Sequence, residues 1–468
     1  MACGEAPVRP HPQGTTNLSG IIRVSEMIKS RGIGFGIENL PRIARGEGSY
    51  LFDDNGRRYL DGSGGPAAFC IGHANREVNA AIAAQLEKVA CGYRYLFTSD
   101  ALEQLTQLIL SLSGPGFGHV VYSASGSESV ESALKVALQY YDARELPAKR
   151  HFIARQRSYH GNTLGALSIS GYAERRGPFE GSLLDVSFVS AANAYRPPGD
   201  VSEDGLAGYL ADELEAKIQA VGPDRVAAFI FEPVVGAAGG VVPAPPGYAE
   251  AIHKVCKRHD VLLIADEVMS GVGRCGTWRA LEHDGVSPDI MAIAKGLAGG
   301  YIPLGATVFK QEVGDTILQA QGGIMTGHTY SGHTAACAAG LAVQRIIERE
   351  SLVARVRERG AALKRALQES LQRYDEIGDI RGRGFFIGVE FVRDRVTKEP
   401  FSADRRINLE VGRRAFQNGL ICYPCAGNAG GGLGDTMVIA PPYNATDSEL
   451  AELVEKLTLA IESTFNAR

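Results

Sequence analysis

Glycine supplies 57 of the 468 residues, roughly one in eight against an ordinary usage of about 7%, with no triplet repeat to suggest a collagen. The remainder, 45% hydrophobic and 22% charged, is that of a folded chain of two or three domains and excludes disorder. Lys and Arg total 48 against 53 Asp and Glu, a formal charge of -5, so no basic field exists to hold nucleic acid or an anionic membrane.

No apolar run reaches the roughly 18 residues a membrane span needs, and Met1 to Gly14 lacks an apolar signal core and a cleavage pattern. A cytoplasmic location is expected. Eight cysteines in a chain of this length make no disulfide framework. Cys422 and Cys425 alone have metal-like spacing and lack a second pair, so no metal is expected.

In chain order, Tyr50 to Leu60 reads as a hairpin, with Asn55-Gly56 supplying the positive φ angles of a tight turn. From about residue 120 short apolar runs alternate with helical stretches. The runs His119 to Tyr122, His151 to Ala154, Val226 to Phe231, Val261 to Ala265 and Ile290 to Ala294 are apolar on both faces, as buried parallel strands are. Between the first two, Val130, Ala133, Leu134, Ala137 and Tyr141 fall on one helical face. The alternation predicts an α/β fold with a mostly parallel central sheet covered by helices, and ligand sites at the carboxyl ends of its strands. Ala336 to Tyr374 reads as helix, Phe385 to Phe391 as a strand, and Thr446-Asp-Ser-Glu449 as the capping box of a last helix. The expected division is a segment 1–60 belonging to a smaller lobe, a large α/β domain 61–335, and an α+β domain 336–468. The glycine-rich run Gly427 to Gly434 reads as a mobile loop.

Three features carry chemistry. Ser123-Ala-Ser-Gly126-Ser127-Glu128 joins a strand to the start of a helix, where free backbone N–H groups and the positive dipole end suit a phosphate. Asp266 ends the apolar run from Val261, and a carboxylate there needs a cationic partner. Lys295 ends the next apolar run and opens a glycine-rich stretch, where a lysine can have a depressed pKa and attack a carbonyl. Each alone has a bland alternative: a serine N-cap, a buried salt bridge, a surface lysine. Together they are what pyridoxal phosphate requires, namely a phosphate seat, an acid for the pyridinium nitrogen and an amine for the aldehyde.

These residues bring the chain into line with a known family. Ser125-Gly-Ser-Glu128, Ser158-Tyr-His-Gly-Asn-Thr163, Phe231-Glu-Pro233, Asp266-Glu-Val268 with Gly273-Arg274, Ala294-Lys-Gly-Leu297 and Gly327-His-Thr-Tyr-Ser-Gly-His333 occur in its order. From about residue 40 to the end the sequence resembles the class III, ω-type, pyridoxal-phosphate-dependent aminotransferases of fold type I. The resemblance implies pyridoxal 5'-phosphate as cofactor, held as an aldimine by Lys295, which then moves protons as base and acid. It implies that Asp266 keeps the pyridine nitrogen protonated, Val268 and Tyr159 pack the two ring faces, and His160 shapes the loop beside Tyr159. Gly126 and Ser127 would seat the phosphate and Glu232 would organise hydrogen bonds beneath the cofactor. Thr329 would reach the phosphate of a second subunit, making a homodimer with shared sites, with tetramers left open. His160, His328 and His333 match structural positions of the family rather than ligands of a metal.

Departures from the family's pattern bear on substrate. Glutamate-using members carry Glu in a Gly-Glu-Ala-Gly segment; here it is Gly236-Ala-Ala-Gly239, so the matched Arg381 lacks a switch partner, and Met269 stands where those members have Gln. Ala67 replaces a bulky aromatic of the amine-using branch, and no arginine lies between Leu420 and Ala440. The expectation is a roomy pocket for an amine or ω-amino acid, lined by Ala67 and Tyr95, with carboxylate recognition left to Arg381, Arg383 or Arg94. Transfer to a 2-oxo acid, pyruvate over 2-oxoglutarate, by a ping-pong route is the leading reading. A lyase or decarboxylase on the same fold is the alternative, since the cofactor cage is shared. A regulator on this fold would need an added DNA-binding domain that the residues before the match do not provide.

Overall fold

A computed structural model describes residues 40–199 and 201–466. The reading of Met1 to Gly14, and most of the segment 1–60, lies outside them. The first hairpin forms from β1 (Tyr50–Asp53) and β2 (Arg58–Asp61), pairing Tyr50 with Leu60 and Phe52 with Arg58. Its turn is made differently from the expectation. Only Gly56 takes a positive φ, +79°, and the bend is held by the Asp53 carboxylate, whose Oδ1 accepts from the amides of Asn55 (3.0 Å) and Arg57 (2.9 Å).

The central sheet holds β3 (Phe117–Ser123), β4 (His151–Arg155), β5 (Ser187–Val189), β6 (Val226–Phe231), β7 (Leu262–Asp266), β8 (Ile290–Ile293) and β9 (Gly305–Lys310) in the order β3-β9-β8-β7-β6-β4-β5. Only β9 runs antiparallel to its neighbours. β6 and β7 are buried throughout because both faces are covered. Phe229, Phe231, Leu263 and Ala265 pack on Leu206, Leu210 and Leu214 of the helix Glu203–Val221. The alternate residues Ala228, Ile230, Leu262 and Ile264 face Val130, Ala133, Leu134 and Ala137 of the helix Gly126–Ala143. The period of two in the strands therefore sorts one apolar run onto two cores.

Towards the carboxyl end, Thr334–Arg349 and Leu352–Leu371 form two helices rather than one, broken where Ser351 adopts a left-handed φ of +52°. A four-stranded antiparallel sheet follows, with β10 (Ile377–Arg383), β11 (Phe386–Phe391), β12 (Tyr423–Gly430) and β13 (Leu433–Ile439) in the order β10-β11-β13-β12. Leu420–Ile421 pairs in parallel with β2, tying this part of the chain to the first hairpin. The last helix, Asp447–Phe465, starts with the expected reciprocal cap between Thr446 and Glu449.

The run Gly427 to Gly434 is not a loose loop. It forms the tip of the β12/β13 hairpin, with Gly430 opposite Leu433 and the register shifting after Ala426. Gly427, Gly430, Gly431, Gly432 and Gly434 all have positive φ, the conformations that a two-residue turn and a bulge demand. Outside contacts hold it: Arg157 Nη1 donates to the Asn428 carbonyl (2.6 Å), and the Gly432 amide donates to the Glu174 carboxylate (2.7 Å). In the sequence, conformational permission had the signature of mobility.

Candidate active site

The carboxyl ends of β7 and β8 deliver the two central groups. Asp266 is the last residue of β7 and is 4% exposed. Its Oδ1 accepts from the Val268 amide (3.0 Å), and Oδ2 lies 2.8 Å from His160 Nδ1. A carboxylate can only accept, so the imidazole proton sits on Nδ1 and orients the ring. The other ring nitrogen, Nε2, is buried without a partner among the described residues. Lys295 follows β8, at the start of a short 3-10 turn, with an unusual φ of +45°. Desolvation pushes its ammonium down to about 8, against the opposing pull of the Asp266 and Glu232 carboxylates.

Glu232, next after β6, is buried and accepts from the amides of Tyr159 and Gly236, each at 2.9 Å. Burial raises its pKa, and His160 works against that rise. It thereby ties the Tyr159-His160 loop to the strand beside Asp266. Glu267, adjacent to Asp266, is spent elsewhere: Ser270 Oγ donates to Oε2 (2.8 Å) and the Leu281 amide to Oε1 (3.1 Å), and burial pushes this carboxyl up to about 7.

Opposite, β3 feeds the helix Gly126–Ala143. Ser125 is the N-cap, its Oγ accepting from the Glu128 amide (3.2 Å). The amides of Gly126 and Ser127 take no acceptor among the described residues, and Ser127 Oγ accepts from Asn162 N (3.0 Å). A Cβ on Gly126 would stand 2.7 Å from Val268 Cγ1, and one on Gly161 2.7 Å from Ser127 Oγ. Glycine at these two positions lets the helix start, the Val268 segment and the Tyr159-His160 loop pack this closely around the free amides.

These groups surround one cavity of about 450 Å³. Gly126, Ser127, Tyr159, His160, Glu232, Asp266, Val268 and Lys295 all line it, so eight of the nine expected cofactor residues are brought together. The donor set fits pyridoxal phosphate: unsatisfied amides at a helix start for the phosphate, a buried carboxylate for a ring N–H, and an amine of lowered pKa for the aldehyde. The ninth, Thr329, is exposed in the turn segment before the helix Thr334–Arg349 and does not reach this cavity.

The expected substrate residues fare differently. Ala67 is buried, with φ +63°, among Ala237, Met269, Phe386 and Cys425, while its neighbours Pro66 and Ala68 line the cavity. Tyr95 is 71% exposed and touches Arg94 rather than the cavity. Arg381 is not a cavity group either. It is 9% exposed, and Nη1 donates to Glu390 (2.5 Å) and Asp379 (3.1 Å), Nη2 to the Gly239 carbonyl and Nε to the Val241 carbonyl. Every edge of that guanidinium is committed. Arg383 is likewise paired, with Asp284 at 2.9 Å. Sequence reasoning missed Arg175, which lines the cavity from the short helix Ala173–Arg176 together with Tyr423.

Residues 37–461 match the family Aminotransferase class-III. The chain belongs to the class III aminotransferases. It is 40% identical over 414 residues to an uncharacterized aminotransferase, YodT, of Bacillus subtilis, covering 88% of this chain and 93% of that one. Among solved structures it resembles an amine transaminase from an uncultivated Pseudomonas species in its PLP-bound form (34% identity, 97% and 98% of the two chains, TM-score 0.85). It also resembles the omega transaminase of Pseudomonas jessenii (33% identity, 92% and 94%, TM-score 0.86). The fold is thus fold type I and the cofactor pyridoxal phosphate. This class III aminotransferase moves an amino group from a donor to a 2-oxo acid. No helix among the described residues is long and apolar enough to cross a membrane.

Proposed function

We propose that this aminotransferase takes a primary amine or ω-amino acid as donor and favours pyruvate over 2-oxoglutarate as acceptor. The observation that carries this reading is the charge inventory of the cavity: among the described residues it presents, beyond Lys295, one arginine or lysine, Arg175, while Arg381 is locked to Glu390 and Asp379. A monocarboxylate acceptor needs one such cation and a dicarboxylate needs two. The carbonyl of Gly239 takes Arg381 Nη2 where glutamate-using relatives carry an acid in this segment.

Bound pyridoxal phosphate supplies an electron sink for the carbanion formed when the substrate loses its proton. Lys295 would hold the cofactor through Nζ, and the same amine would carry the proton away from and back to the substrate as base and then acid. Asp266, oriented by His160, keeps a proton on the ring nitrogen. The amides of Gly126 and Ser127 would bind the phosphate, Val268 and Tyr159 would pack against the ring, and Glu232 holds the Tyr159 loop in place.

The reading includes a homodimer. Tyr93, Leu96, Phe97 and Met325 are 63 to 71% exposed, an apolar surface a second copy would cover, and Thr329 lies in the same segment as Met325. It also includes a cytoplasmic location, supported by the seven cysteines that are free among the described residues. The cofactor-bearing domain is residues 61–335, supported by the central sheet lying wholly within it; of the expected 1–60 and 336–468, the described residues 44–60 and 336–466 form the smaller lobe, supported by the pairing of Leu420–Ile421 with β2.

A donor panel of amines and ω-amino acids, run with pyruvate and with 2-oxoglutarate, tests the proposal. Alanine formation at several times the rate of glutamate formation is expected. Product formation without any oxo acid would point to a lyase or decarboxylase, and faster turnover with 2-oxoglutarate would overturn the acceptor assignment.

A further inference from the structure

Arg175 lines two adjoining cavities. One holds Lys295; the other, of about 340 Å³, meets it at Arg175, Ala237 and Tyr423 and runs on past Arg406 and Asn408. The guanidinium lies 5.1 Å from the ring centre of Tyr159 and 5.5 Å from that of Tyr172. Contact of this kind holds the guanidinium by its charge against the rings; the Tyr172 hydroxyl approaches one of its five N–H donors, and the rest remain for a carboxylate. Among the described residues no carboxylate pairs with Arg175, in contrast to Arg381 and Arg383. The nearest acid along the chain, Glu174, is occupied by the Gly432 amide. The outer cavity holds one buried acid, Asp435, which accepts from Asn408 N (3.0 Å) and whose neutral form burial favours.

We propose that Arg175 is the residue that binds the carboxylate of an ω-amino acid donor, at the junction of the two cavities, while the donor's amine reaches Lys295. This rests on the donor class proposed above and assigns its recognition to one side chain. Tyr159 then has two duties, because its ring packs the cofactor side of the cavity and also fixes the height of the guanidinium. The same residue holds the carboxylate of the oxo acid in the second half of the cycle, so one cation serves both substrates in turn.

The test follows the donor half-reaction alone, in the holoenzyme without any oxo acid, through the visible absorbance of the lysine-bound cofactor. Two donors of equal chain length are compared, 6-aminohexanoate and hexylamine. In Arg175→Ala the ratio of the half-saturating concentration of 6-aminohexanoate to that of hexylamine is expected to rise about 10- to 100-fold, the range a lost charge-assisted bidentate contact spans. Arg175→Lys restores part of it, and Arg175→Gln, which keeps bulk and polarity without charge, behaves as Ala does. A ratio within about 3-fold of the unaltered enzyme's in both Ala and Gln variants overturns the assignment of Arg175. If the unaltered holoenzyme responds to neither donor, the donor class itself fails, and the two failures are thereby distinct.

Discussion

Acetylation of Lys295 by trace acetic anhydride, followed on its peptide by mass spectrometry in the cofactor-free protein, should titrate with a midpoint near 8. An unperturbed lysine titrates near 10.5, and the fall to about 8 comes from burial of the ammonium at the end of β8. Only the neutral amine acylates. At pH 7 a midpoint of 8 leaves about one amine in eleven neutral, against about one in three thousand for an unperturbed group, a gain of roughly 300-fold in reactive lysine. Asp266 and Glu232 pull the other way, since their carboxylates favour the charged form. Asp266→Asn should therefore lower the midpoint further, and the labelling rate at pH 7 should rise. A midpoint above about 9.5, or one that climbs in Asp266→Asn, would refute the claim that desolvation dominates at this site.

Glu267→Gln should stabilise the protein at pH 8 and leave it nearly unchanged at pH 4.5. The folded-state pKa of about 7 lies above the unfolded value of 4.5, so wild-type stability is lost as pH rises through that window. Thermal melts at the two pH values would show a gain of at most about 3 kcal/mol at the higher one, and an equal shift at both would sink the idea. Gly126→Ala places a methyl 2.7 Å from Val268 Cγ1; overpacking of this kind costs about 1–3 kcal/mol, and cofactor affinity measured by fluorescence titration should fall at least about tenfold. Leu263→Ala, inside β7 and wholly buried, should cost about 2–5 kcal/mol in urea unfolding while leaving the spectrum of bound cofactor unaltered. A changed spectrum would mean that the core and the site are coupled.

Much of this site was legible because its main groups sit at the ends of strands buried on both faces, and such strands announce themselves as apolar runs. Asp266 and Lys295 are each marked by the point where an apolar run stops. Arg175 has no such mark. It lies on a one-turn helix, and only the packing of Tyr159 and Tyr172, set by contacts distant in the chain, brings it to the cavity. Arg381 is a different case, because the signal was present. Asp379 faces Glu390 across β10 and β11, with Arg381 two residues along on the same face. A hairpin drawn from Ile377 to Phe391 would have put the arginine beside both acids. For the glycines of 427–434, composition fixes what the backbone is permitted to do and leaves open which contacts hold it there.

The one antiparallel strand of the central sheet sets a limit on how this enzyme can be altered. β9 enters the sheet from the site side, so the chain leaving Lys295 never makes a crossover through a covering helix; it turns along the cavity, where Gly300, Ile302, Pro303 and Leu304 form part of the wall, and pairs at once with β8. The nucleophile and that wall are consequently one short tether. An insertion made there to enlarge the pocket would drag the lysine with it, whereas the facing wall, from Tyr159 to Arg175, hangs from β4 and can be lengthened without moving Lys295. Redesign of substrate range in this scaffold has one free side and one fixed side, and the orientation of a single strand decides which is which.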